Sequence, residues 1–115
     1  MNRLKFLLCI TLVWSNASHA NKISDFYEIE NIKAPDLLLQ RYGDSGGGQG
    51  TQADGLDFMP DGRLVACFVG GEVFTLDPKI GKWKLFADGL HTPLGVVALN
   101  DREVMVSQRP ELTLL

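Results

Sequence analysis

Residues Gly55 to Leu90 read GLDFMPDGRLVACFVGGEVFTLDPKIGKWKLFADGL, and this stretch decides the fold. Leu56 to Met59, Leu64 to Val69 and Val73 to Leu76 carry the apolar or alternating pattern of short strands. A fourth run, Trp83 to Phe86, alternates large apolar residues with lysine. Turn chemistry separates them at Pro60-Asp61-Gly62, at Gly70-Gly71 and from Asp77-Pro78 through Gly81. Four short antiparallel strands joined by tight turns in about 40 residues match one blade of a β-propeller.

The unit recurs. Gly55 laid on Gly95 gives an ungapped match that puts Leu56 on Val96, Met59 on Leu99, Asp61 on Asp101, Leu64 on Val104 and Val65 on Met105. Dropping one glycine of Gly70-Gly71 then puts Val73 on Leu112 and Leu76 on Leu115. A fixed period of this length is a signature of propellers and solenoids; the competing explanation is the chance likeness of two β-hairpins. The expected fold is all-β, about one and a half propeller blades. One blade spans residues 55 to 90, and the incomplete start of the next spans residues 91 to 115.

Residues 1 to 20 read as a signal peptide. Arg3 and Lys5 open it, Phe6 to Trp14 form its apolar centre, and Ser18-His19-Ala20 offers a small-x-small cleavage site. An uncleaved anchor is the alternative, and no later stretch is long and apolar enough to span a bilayer. The expected location is therefore secreted or periplasmic. The whole chain carries a net charge of −3. Without Arg3 and Lys5 the balance is 9 basic to 14 acidic side chains, a charge of −5, which argues against a nucleic-acid surface. Without Cys9 only Cys67 remains, in an apolar strand pattern, where a buried hydrophobe is expected rather than a reactive thiol.

Residues 21 to 41 are expected to hold N-terminal strands: Tyr27 to Ile32, which alternates, and Leu37 to Gln40 after Ala34-Pro35-Asp36. Residues 42 to 54 read as a glycine-rich mobile surface loop. Within it, Gly43-Asp44-Ser45-Gly46-Gly47 copies the nucleophile motif of chymotrypsin-like proteases. That mechanism needs a histidine base, and the one histidine upstream, His19, leaves with the leader. The protease reading is rejected, and so is a phosphate cradle, since no Gly-Lys-Ser or Gly-Lys-Thr follows. Asp54 and Asp57 are weak evidence for a calcium site. Asp61 is expected to close its own turn, with Gly62 at positive φ.

His91 is the single catalytic candidate. It lies in Gly89-Leu90-His91-Thr92-Pro93-Leu94-Gly95, on the crossover between one blade's outer strand and the next blade's inner strand. There an imidazole could accept a proton or hold a cofactor; alternatively it hydrogen-bonds the turn around Pro93 and orders the crossover. No metal ligands are assigned.

Pro60-Asp61-Gly62-Arg63-Leu64, the His91 segment and Gln108-Arg109-Pro110-Glu111-Leu112-Thr113 together resemble the opening blades of secreted propellers in the glucose and sorbosone dehydrogenase-like superfamily. The likeness covers roughly residues 26 to 115 and is nearest to large secreted proteins of planctomycete-type bacteria. It implies a six-bladed propeller. Enzymatic members bind pyrroloquinoline quinone and calcium in the channel and oxidise sugars, and relatives often carry a C-terminal haem domain. The cofactor and metal residues of such a parent would lie mostly in later blades. The expectation is thus an exported, truncated propeller portion of a sugar-oxidising quinoprotein. The alternatives are a non-catalytic extracytoplasmic propeller that binds carbohydrate or protein, and a non-functional remnant.

Overall fold

The structure, a computed structural model, describes residues 26–43 and 49–115. The expected signal peptide, Cys9 and residues 44–47 of the protease-like motif lie outside these. The chain divides into two units, Met1–Asn31 and Ile32–Leu115. In the first, the described residues form no regular element, and Phe26, Tyr27 and Ile29 are exposed. The expected strand over Tyr27 to Ile32 does not form. Alternation marks a half-covered strand, but among the described residues no second strand meets its backbone N–H and C=O groups.

In the second unit, the expected strand at Leu37 to Gln40 is instead helix α1, Asp36–Tyr42. Short apolar runs are ambiguous between helix and strand. Here three leucines, none branched at Cβ, followed by Gln40 and Arg41 suit a helix. Pro35 sets φ at −54° ahead of it, and its carbonyl accepts from the Leu38 and Leu39 N–H groups at 3.0 and 3.2 Å. Gly43, at φ 79°, ends the helix by donating its N–H to the Leu39 carbonyl at 2.9 Å. The described residues are therefore mostly β, with one short helix, compatible with the all-β class expected. The loop of residues 42 to 54 is also shorter than expected. Tyr42 belongs to α1, Gln49–Thr51 forms a 3-10 turn, and Ala53 and Asp54 already belong to a strand.

Seven strands follow: β1 (Ala53–Phe58), β2 (Leu64–Phe68), β3 (Val73–Asp77), β4 (Lys82–Ala87), β5 (Gly95–Ala98), β6 (Val104–Ser107) and β7 (Leu112–Leu114). They form two antiparallel meanders, β1-β2-β3-β4 and β5-β6-β7. All four strands expected between Gly55 and Leu90 form, and β5, β6 and β7 fall within the residues that match β1, β2 and β3. The turns follow from their residues. Asp61 accepts the Arg63 N–H at 3.0 Å while Gly62 sits at φ 89°. Asp77 accepts the Lys79 N–H at 2.9 Å, with Gly81 at φ 64°.

The core lies between the two sheets. Met59, Val65, Cys67 and Val73 of the first meet Val96, Val104 and Val106 of the second, with Phe86, Ala98 and Leu115 partly buried at the margin. β1 lies beside β5, so close that a Cβ on Gly55 would stand 2.7 Å from the Gly95 Cα. The first sheet's other face is covered by α1. Leu38 is buried on Ala66, Phe68 and Phe74, with Leu37 and Trp83 beside them. Phe68, Phe74 and Trp83 meet edge to face at centroid distances of 5.8 to 6.3 Å.

Candidate functional site

The crossover from β4 to β5 carries His91 between two turns. Ahead of it, the Leu90 N–H donates to the Gly71 carbonyl at 3.0 Å; a side chain on Gly71, at φ 112°, would strike the Leu90 carbonyl oxygen. Behind it, the Leu94 N–H donates to the Ser107 carbonyl at 2.8 Å. The segment is therefore pinned to the β2–β3 turn of one sheet and to the end of β6 in the other. Between these anchors Thr92 takes φ 50°, an uncommon conformation for a β-branched residue, ahead of the buried Pro93.

His91 itself is exposed. Its N–H donates to Gln108 Oε1 at 2.6 Å, and its carbonyl accepts the Arg109 N–H at 3.0 Å. Its ring Nδ1 lies 3.2 Å from the Arg109 carbonyl oxygen. A carbonyl only accepts, so this contact assigns the proton to Nδ1 and leaves Nε2 as the free ring nitrogen. Gln108 is held in turn, its Nε2 donating to Thr113 Oγ1 at 2.6 Å. The histidine thus orders the crossover, though through the turn at residues 108 to 111 rather than around Pro93. A general base needs a partner that sets its tautomer for chemistry; here a backbone carbonyl sets it.

Among the described residues no three histidine, cysteine, aspartate or glutamate side chains gather as metal ligands. Asp57 accepts the Phe58 N–H at Oδ1 and the Ala98 N–H at Oδ2, both at 2.8 Å, and Asp54 accepts from Gln52 at 2.9 Å. Their carboxylates serve backbone and neighbour, so the donor set fits neither calcium nor a quinone. Cys67 is fully buried and burial pushes its thiol up, as a small core hydrophobe requires.

A polar cluster at the end of α1 was not legible as a site in the sequence. Glu72, with 0% of its surface exposed, accepts from Arg41 Nη1 at 2.7 Å and from the Tyr42 hydroxyl at 2.9 Å through Oε1. Its Oε2 is buried without a hydrogen-bond partner. Arg41 also reaches Asp88 Oδ2 with Nη2 at 2.8 Å. Asp88 and then Glu72 hold the guanidinium above its ordinary value. Arg41 in turn holds the Asp88 carboxyl below the usual range. Burial, and then the bond to Glu72, raises the Tyr42 phenol.

The cluster fastens the end of α1 to the β2–β3 turn and to the crossover. Two glycines make room for it. A side chain on Gly50 would collide with the Tyr42 ring, and one on Gly70 would stand 2.5 Å from the Tyr42 hydroxyl. The sequence signal that could have found it is a glutamate set directly between Gly71 and the buried Val73. Comparison of the chain with protein-family models, with curated proteins and with solved structures finds no match.

Proposed function

We propose that the chain supplies the opening blades of an exported β-propeller of the sorbosone dehydrogenase-like type, whose whole protein oxidises sugars with a quinone. In this proposal the two sheets act as scaffold and channel wall, and the quinone and calcium residues belong to other blades. The observation that carries it is the packing of repeat-equivalent inner strands, β1 on β5, with Gly55 against Gly95. A radial array needs this contact at every step, and it needs successive sheets to face the same way. Phe58 and Leu56, exposed on β1, are where a ring's last blade would arrive.

A second reading, a non-catalytic extracytoplasmic propeller that binds carbohydrate or protein, is favoured by one observation: among the described residues no titratable side chain bonds the His91 ring to form a catalytic pair. The coding sequence past Leu115 separates the readings. Further repeats of about 40 residues, with channel-facing histidine, arginine and acidic residues, support the quinoprotein. Repeats without that set support the binding module, and a stop codon in an expressed transcript sinks both propellers for this product. The chain alone, given pyrroloquinoline quinone and calcium, is expected to show no dye-linked sugar oxidation. Sustained turnover would overturn its assignment to scaffold.

A further inference from the structure

Each sheet has two unlike faces. The first sheet meets the second through Met59, Val65 and Val73, its outgoing face. The second receives it on Val96, Val104 and Val106, its incoming face. By the 40-residue repeat, both halves of this interface occur a second time. Leu99, Met105 and Leu112 form an outgoing face on the second sheet, where Leu99 and Leu112 are exposed. Leu56, Leu64 and Ala66 form an incoming face on the first sheet, and α1 sits on it with Leu38 buried against Ala66.

We propose that α1 stands in the place of a preceding sheet, and that the face it covers, once freed, takes the outgoing face of a second copy of this chain. The contact would reuse the packing that already joins the two sheets, so the occupant follows from an interface the molecule itself displays. Cap and bolt are distinct: Leu38 fills the face, while Arg41, held by Glu72 and Asp88, keeps α1 in place from outside it. Because outgoing and incoming faces are different surfaces, the contact is heterologous and propagates from copy to copy. The proposal is independent of sugar oxidation and concerns this chain by itself; within a propeller, a following blade would take the outgoing face in place of the second copy.

Sedimentation of the full chain tests it, with Leu38→Asp and Arg41→Ala as uncapped variants. If Leu38→Asp fails to fold, Arg41→Ala, which leaves the apolar face intact, carries the test. The uncapped chain is expected to associate at least about tenfold more tightly than the unaltered one, with a mass that climbs past the dimer as concentration rises. Adding Met105→Lys, on the outgoing face, should return the mass to that of the unaltered chain. The proposal fails if a variant with native far-ultraviolet dichroism stays monomeric, or if the mass stops at a dimer. It fails equally if Met105→Lys leaves association unchanged, or if the unaltered chain associates as strongly.

Discussion

At repeat-equivalent positions 73 and 112, the valine of the first sheet is 0% exposed and the leucine of the second is 70% exposed. At positions 56 and 96 the order reverses: the leucine of the first sheet is 61% exposed and the valine of the second 7%. The two sheets share strand order, turn chemistry and apolar pattern, yet they meet through opposite faces, and only the first has a helix on its remaining face. Burial here is set by which neighbour arrives, and residue type follows only loosely. That is why β-propensity behaves as fitness for a half-buried surface rather than as a property of a residue.

The sharpest way to break this comparison is to force the sheets apart. Gly55→Ala would set a methyl 2.7 Å from the Gly95 Cα and 2.8 Å from the Val96 nitrogen, both backbone atoms that cannot swing away. A loss of about 3 kcal/mol or more is expected in denaturant unfolding, at the upper end of overpacking. An unchanged midpoint would mean that β1 and β5 are not in contact.

A paired substitution sharpens it. Met59→Ala, in the core, is expected to cost about 2 to 5 kcal/mol, whereas Leu99→Ala, its exposed counterpart, should stay within about 0.5 kcal/mol. Equal losses would show that the second sheet's outgoing face is covered in solution. The contrast needs only two chemical denaturation curves beside that of the unaltered chain.

Much of this was legible in sequence because turns and strands declare themselves locally. Pro60-Asp61-Gly62 specifies a turn by the aspartate carboxylate and a glycine at positive φ, whatever surrounds it. The repeat placed β5 to β7 for the same reason. Elements that depend on remote partners were not legible. Tyr27 to Ile32 alternates as a strand should, but among the described residues it has no strand to pair with. The leucines of α1 read equally well as strand or helix until Pro35 and Gly43 are seen to bound a helix. Glu72 stands out only as a charge between Gly71 and an apolar strand, and nothing local names its partners, since Arg41 and Tyr42 lie about 30 residues upstream. His91 announced itself as the last histidine, but its carbonyl partner at Arg109 carries no sequence signature.

The smallest effect expected is on pH. Asp88 is held low by Arg41, and Asp61 by the Arg63 N–H, so both have folded pKa values below their unfolded ones. Their contribution is complete above the ordinary aspartate value of about 4 and is lost as pH falls through the folded values. Tyr42 is raised, so its contribution is complete below about pH 10 and is lost as pH rises through its folded value. Hydrogen exchange at both extremes should therefore speed first at α1 and last at β6, which has no such group. Uniform loosening of both sheets would contradict this.

The seven-residue length of α1 fixes when it can appear during folding. A helix of two turns is marginal in water by itself, and its side-chain bonds reach residues 31 and 47 positions away. The strands it rests on pair only with their sequence neighbours, through hairpins that close quickly. The meander must therefore form before the helix has anything to hold it. For that interval the nascent chain carries an apolar sheet face with no cover, and the rate of helix docking decides how long that face stays open.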